Sequence, residues 1–154
     1  MILFLDSSAS VKYYVTEPGS EWVRHVVEEA ELVFLAEIAL VEVAAALGIL
    51  ERLRRLSPRH RRQLWEQFDR DCTARYRLVP IVHDVLYAAA LLCARHPLRA
   101  YDAVQLSAGL AMKRVLDAEH AALTLVSSDR ALLAAARAEG MPADDPLSHT
   151  ELDA

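Results

Sequence analysis

Two acidic residues, Asp6 and Asp129, follow apolar runs that have the character of buried strands. Asp6 comes directly after residues 2–5, and Asp129 comes two serines after residues 123–126. Continuous apolar runs of this length are typical of parallel strands that are covered by helices on both faces. Ligands of open α/β sheets bind at the carboxyl ends of such strands, where both acids are expected. Each acid could also cap the helix that follows it, and the residues alone leave both interpretations open.

Glu42 and Asp102 have surroundings that are unusual for a surface carboxylate. Glu42 is the only charged residue between residues 38 and 50, where the apolar pattern predicts a buried helix. Asp102 lies near the start of a predicted helix that is lined with small residues. Burying an ionised carboxylate without a partner costs on the order of several kcal/mol. The alternatives are an ion pair between Glu42 and an arginine of a neighbouring helix, and a favourable first-turn charge at Asp102.

Taken together, the four carboxylates predict a metal site. Clustered carboxylates repel and desolvate one another, so a site of this kind needs a cation. Ligands that are all oxygen suit Mg²⁺ or Mn²⁺, and the histidines and cysteines show no zinc-site spacing. Mg²⁺ commonly meets a protein through one or two carboxylates together with a substrate phosphate. The chemistry indicated is therefore hydrolysis of a phosphodiester bond.

The elements that must position these acids alternate along the chain. Strands are predicted over residues 2–5, 32–35, 75–81 and 123–127, with a weak last strand within 141–154. Helices are predicted over residues 8–14, 21–29, 36–55, 58–73, 83–94, 99–117 and 129–139. The alternation indicates an α/β domain with a mainly parallel sheet. Pro80 places the third strand near an edge of that sheet.

Composition excludes several classes of protein. The chain has 154 residues, of which 54% are hydrophobic and 25% charged, so it is long and apolar enough to fold around a core. No apolar run reaches membrane-spanning length, and the start lacks the basic region of a signal peptide, so we expect a cytoplasmic protein with no membrane partner. The net charge of −5 argues against binding nucleic acid through total charge. The arginine-rich stretch 52–62 is interpreted as a solvated helix end rather than an RNA contact.

The chain resembles PIN-domain nucleases, specifically the VapC-type toxins of bacterial toxin–antitoxin pairs. The resemblance rests on four stretches that cover nearly the whole chain in order: residues 5–14, 40–44, 99–106 and 126–132. It implies a single PIN-like domain over residues 1–154, with a three-layer α/β/α fold and a central, mainly parallel sheet of four or five strands. It also implies a Mg²⁺-dependent endoribonuclease, with Mn²⁺ as an alternative metal, that acts on RNA.

The resemblance further implies site residues and partners. Asp6 and Asp102 match the principal metal ligands of the family, and the other two acids complete a catalytic, metal-binding set: Glu42 and Asp129. Ser7 and Ser127 are predicted to support the acids, and Lys12 is a candidate RNA contact. The expected partners are a second copy of the chain and a small antitoxin, which could form a higher assembly.

The antitoxin is expected in an apolar groove formed by the helices over residues 8–14 and 20–29 together with the helix that carries Glu42. Trp22 and Val26 are predicted to contact it.

Three other functions compete with this interpretation. A non-catalytic PIN-like module would bind RNA or protein without cleavage, but it would have no reason to keep buried acids uncompensated. A haloacid-dehalogenase-type domain needs a second aspartate where Ser8 stands. A receiver-type domain needs a lysine after a late strand, and none follows residues 123–127 closely.

Overall fold

A five-stranded parallel sheet forms the middle layer of the structure, a computed structural model that describes residues 1–153. Its strands are β1 (Ile2–Leu5), β2 (Leu32–Ala36), β3 (Tyr76–Val79), β4 (Leu123–Val126) and β5 (Ala143–Asp144). Their order across the sheet is β3-β2-β1-β4-β5, and every neighbouring pair is parallel. The predicted edge position of the third strand and the weak last strand are both confirmed.

Seven α-helices within residues 1–153 cover the two faces of the sheet. They are α1 (Ser7–Tyr14), α2 (Ser20–Glu29), α3 (Ala39–Arg52), α4 (Pro58–Ala74), α5 (His83–Arg95), α6 (Ala100–Ala118) and α7 (Arg130–Ala138). Leu3 and Leu5 of β1 face a core shared with α1 to α4, whereas Phe4 faces a second core shared with α5 to α7. This alternation follows from the period of two along a strand. The predicted three-layer α/β/α fold is confirmed.

The chain reverses its direction across the sheet beside β1. It adds β2 and β3 on one side, then returns through α5 and α6 to place β4 on the other side. Leu5 pairs with Val126, so the ends of β1 and β4 lie next to each other. Such a reversal opens a crevice at the carboxyl ends of the two strands, where ligands of open α/β sheets bind.

The helix predicted over residues 36–55 is shorter at both ends in the structure. Residue 36 belongs to β2 rather than to the following helix, because Ala36 pairs with Val79 and the ladder continues with a bond from Glu37 N–H to Val79. The helix therefore begins at Ala39 and ends at Arg52. Among residues 1–153, no helix is long and apolar enough to cross a membrane.

The C-terminal segment Pro146–Asp153 forms 3₁₀ turns with a kink at His149 and packs on α2. The Asp153 carboxylate accepts hydrogen bonds from the backbone N–H groups of Gly19 and Glu21, at the start of α2. Gly19 has φ of +85°, and a Cβ there would lie 2.5 Å from the carbonyl oxygen of Pro146. Glycine is therefore required at this position for both conformation and space.

Candidate metal-binding active site

The four predicted acids line one pocket at the carboxyl ends of β1 and β4. Asp6 follows β1, Asp129 follows β4, Asp102 lies in the first turn of α6, and Glu42 lies in the first turn of α3. The pocket has a volume of about 230 Å³ and is lined by Asp6, Ser7, Ser8, Glu42, Arg99, Asp102, Ser128 and Asp129. Four segments that are distant in sequence thus bring their carboxylates to one edge of the sheet. We call this site the acidic pocket.

Asp6 is the most deeply buried of these acids, with only 4% of its surface exposed. Its Oδ2 accepts hydrogen bonds from Ser8 Oγ at 2.7 Å and from Ser127 Oγ at 2.9 Å. Burial raises the pKa of Asp6 above its ordinary value, and these hydrogen bonds offset part of the rise. The structure places Ser127 in the supporting position predicted for it. Ser8 was not singled out from the sequence, although a serine two residues after an N-cap aspartate is within reach of its carboxylate.

Glu42 is held by two neutral donors rather than by a cation. Its Oε2 accepts hydrogen bonds from Ser7 Oγ at 2.6 Å and from Gln105 Nε2. Desolvation raises the pKa of Glu42, and the charges of Asp6 and Asp102 raise it further, against the two hydrogen bonds. Within residues 1–153, Glu42 forms no ion pair, so the arginine pairing that was the alternative interpretation is not observed. The Ser7 side chain, predicted to support the acids, thus contacts Glu42.

Gln105 is a site residue whose role the sequence reasoning missed. It lies on α6 with no exposed surface and donates from Nε2 to both Ser7 Oγ and Glu42. Its Oε1 is buried without a hydrogen-bond partner among residues 1–153. A polar side chain inside an apolar helix was a usable signal, and it is the same signal that identified Glu42.

Asp102 and Asp129 share one cation, the guanidinium of Arg99. Arg99 Nε lies 2.9 Å from Asp102 Oδ2, and Nη2 lies 3.2 Å from Asp129 Oδ2. These carboxylates keep the pKa of Arg99 above its ordinary value. Asp129 also caps α7, because its Oδ1 accepts from the N–H of Leu132 at 2.8 Å. The capping interpretation of Asp129 is therefore correct, and it is compatible with a position in the acidic pocket.

The residues of the acidic pocket match the ligand chemistry of Mg²⁺ or Mn²⁺. All candidate ligands are oxygens, and the pocket has four carboxylates against one basic side chain, Arg99. Within residues 1–153, no three acidic, histidine or cysteine side chains are close enough to hold one ion as they stand. Two of the four carboxylates are turned toward Arg99 instead. The donor set suits a divalent cation, and Arg99 occupies part of it.

A second, larger hollow of about 630 Å³ adjoins the acidic pocket, and we call it the α1–α3 groove. Its apolar wall comes from one face of α3, where Val41 is 66% exposed and Ile49 is 49% exposed. The sequence predicted a helix buried all round, and this is wrong because α3 packs on the core through the opposite face only. The groove and the acidic pocket share Ser7, Ser8, Glu42, Arg99 and Ser128.

The structure corrects the predicted walls of this groove. Val26 is buried in the core, and Trp22 stacks on His149 with 4.3 Å between ring centroids. The face of α2 that carries Trp22 is thus covered by the C-terminal segment. Lys12 lines the groove rather than the acidic pocket, is 6% exposed, and pairs with Glu17 at 3.4 Å. Lys12 is thus buried rather than exposed, and the RNA contact predicted for it stays a prediction.

Several solved structures share this architecture over nearly their whole length. FitAcB from Neisseria gonorrhoeae matches with a TM-score of 0.68 and 18% identity, over 95% of this chain and 98% of that chain. VapBC2 from Rickettsia felis, bound to a promoter DNA fragment, matches with a TM-score of 0.60 and 14% identity, over 94% and 98%. A toxin–antitoxin complex from Klebsiella pneumoniae matches with a TM-score of 0.59 and 14% identity, over 94% and 97%. At these identities the likeness concerns the fold.

No curated protein matches the chain in sequence. The sequence pattern that defines the PIN domain, in contrast, matches residues 3–143. That range contains the five strands except Ile2 of β1 and Asp144 of β5, and it includes Asp6, Glu42, Asp102 and Asp129. Since the match spans nearly all of the sheet and every carboxylate of the acidic pocket, the chain belongs to the PIN domain family.

Proposed function

We propose that this protein is a metal-dependent endoribonuclease that acts as the toxin of a toxin–antitoxin pair. The observation that carries the proposal is the acidic pocket itself. Four carboxylates from four distant segments converge at the sheet edge, and two of them have raised pKa values that disfavour their charged forms. The cap and the ion pairs account for Asp129 and Asp102, but the raised pKa values of Asp6 and Glu42 show a cost that a divalent cation would offset.

The chain's own residues orient two of the proposed ligands. Ser8 and Ser127 fix one oxygen of Asp6, while Ser7 and Gln105 fix one oxygen of Glu42. In each case the second carboxylate oxygen has no side-chain donor among residues 1–153 and is free for a cation. Bound Mg²⁺ or Mn²⁺ would stabilise the charge that develops on the phosphate and lower the pKa of the attacking water. The orienting hydrogen bonds reduce the reorganisation that ligand binding would require.

The same contacts weigh against a non-catalytic RNA- or protein-binding module. A module without metal could have neutral residues in place of Asp6 and Glu42 and would thereby avoid the desolvation penalty of two buried carboxylates. Here the acids are retained together with four side chains that position them. That organisation supports catalysis over simple binding.

The α1–α3 groove supports an antitoxin partner. Its exposed apolar wall is suited to a partner that contributes apolar side chains, and its end at Glu42 is suited to a basic side chain. The similar structure from Klebsiella pneumoniae is a toxin–antitoxin complex. A homodimer is part of the proposal, and exposed apolar residues on α5, including Leu86, Tyr87 and Leu91, offer it a separate surface.

The test is cleavage of a fluorescent RNA mixture by purified protein, after chelation and re-addition of single metals. We expect cleavage with Mg²⁺ or Mn²⁺ and none in chelator. Glu42→Gln provides the negative control, which excludes a contaminating ribonuclease. Wild-type cleavage in excess chelator would overturn metal dependence, and cleavage of DNA but not RNA would overturn the substrate.

A further inference from the structure

Arg99 holds the place in the acidic pocket that a cation is proposed to take. It is the only basic side chain among the residues that line this pocket. Its guanidinium spans two carboxylates on different segments, Asp102 on α6 and Asp129 at the start of α7. Without it, two acids that lie beside Asp6 and Glu42 would have no positive partner in the pocket.

The attachment of Arg99 is suited to exchange. Its side chain is 79% exposed, whereas the Asp102 and Asp129 side chains that it contacts are 12% and 27% exposed. Ion pairs with an exposed member are weak, because water competes for the charge and the long side chain must be immobilised. Arg99 precedes the first residue of α6 and contributes no capping hydrogen bond from its side chain. It can therefore leave the carboxylates without repacking the core.

We propose that Arg99 is an internal counter-cation that competes with the divalent metal for Asp102 and Asp129. In the metal-free protein it neutralises the two acids, and metal binding displaces its guanidinium toward solvent at the pocket mouth. There it is placed for a substrate phosphate, whose oxygens match the planar donor fork of arginine. Arg99 thus lowers metal affinity and favours RNA binding. This inference rests on the proposed function, since it assumes that the acidic pocket takes a metal.

The test is calorimetric titration of Mn²⁺ into wild type, Arg99→Gln, Arg99→Lys and a control, Arg114→Gln. Arg114 is exposed near the other end of α6, twelve residues beyond Asp102. Removing two exposed ion pairs, each equivalent to at most about a fivefold factor, predicts tighter Mn²⁺ binding in Arg99→Gln, by up to about 25-fold. Arg99→Lys keeps the charge but loses the fork, so we expect an intermediate affinity. Arg114→Gln should titrate like wild type.

The outcomes separate this inference from the function on which it rests. Mn²⁺ binding to Arg99→Gln that is equal to or weaker than wild type would overturn the competition, even if wild type cleaves RNA. Absence of Mn²⁺ binding to all four proteins would overturn the metal site and the inference together. At saturating Mn²⁺, the KM of Arg99→Gln for RNA should rise severalfold, and an unchanged KM would refute the phosphate contact.

Discussion

Replacing Glu42 by glutamine tests whether this residue is strained by its surroundings or stabilised by them. Glutamine keeps the volume, and its amide oxygen can still accept the hydrogen bonds from Ser7 and Gln105. The substitution removes only the charge of the carboxylate. The pKa of this carboxyl group is raised by desolvation and by the charges of Asp6 and Asp102, so its ionised form is disfavoured. We therefore expect Glu42→Gln to melt at a higher temperature than wild type in chelator.

The stabilisation by Mg²⁺, in contrast, should be smaller in Glu42→Gln than in wild type. Mg²⁺ at a hundredfold excess over Kd adds about 2.7 kcal/mol to native stability. At about 2–4 °C per kcal/mol for a chain of this size, wild type should gain about 5–11 °C. If the loss of one carboxylate weakens binding tenfold, the remaining gain is about 1.4 kcal/mol, or about 3–6 °C.

Thermal melts of wild type and Glu42→Gln, each in chelator and with Mg²⁺, give the four melting temperatures to compare. Glu66 is exposed, so the control variant Glu66→Gln should melt like wild type under both conditions. A buried ion pair at Glu42 predicts the reverse in chelator. Its loss would cost about 3–5 kcal/mol, which lowers the melting temperature by about 6–20 °C. A Glu42→Gln protein that melts lower in chelator and responds to Mg²⁺ like wild type would refute a metal-binding role for Glu42.

Three further predictions follow from the acidic pocket and the groove. Asp6→Asn and Asp102→Asn should each reduce RNA cleavage at least a hundredfold with the circular dichroism spectrum unchanged. Wild-type turnover in either variant would show that the substituted residue is not part of the active site. Because the native state holds extra protons on Asp6 and Glu42, metal-free stability should fall as the pH rises from their ordinary values of 3.8 and 4.5 through the raised ones. Asp6→Asn should therefore gain stability over wild type with rising pH in urea titrations, and a constant difference would contradict the pKa shift. Ile49→Asp should weaken capture by the cognate antitoxin at least tenfold with cleavage retained, whereas Val115→Asp, at a similarly exposed position, should not. Equal capture of both variants would show that the antitoxin does not bind in the groove.

The strand-end acids could be predicted because their signal is local. Each acid follows an apolar run, which predicts both the strand and the residue at which it ends. One run ends at Asp6 and the other ends near Asp129. Parallel pairing then brings the two ends together, as the Leu5–Val126 register shows. The bonds that join Gln105 to Glu42 and Arg99 to Asp129 could not be read in the same way, because they depend on which side chains lie within hydrogen-bond distance of each other across the pocket. Sequence spacing does not encode that distance between distant segments.

The prediction for α3 failed for a reason that bears on function. An apolar pattern indicates that a helix face is hydrophobic. It does not distinguish a face that packs in the core from a face that a partner covers. Val43 and Leu47 pack in the core, while Val41 and Ile49 remain exposed on the other side of the same helix. In this chain, the apolar pattern of α3 therefore comes from one face that packs in the core and a second face that stays exposed in the α1–α3 groove.

Glu42 lies on α3 where these two faces meet the acidic pocket. It is part of the lining of both the pocket and the groove, as are Ser7, which hydrogen-bonds to it, and Arg99. A partner in the groove would therefore desolvate Glu42 further and limit the space into which Arg99 can move. Both effects oppose metal binding, since the first favours the protonated carboxyl and the second keeps the guanidinium on Asp102 and Asp129. On this geometry, a partner in the groove would inhibit the site even if Glu42 were the only proposed metal ligand that it touched.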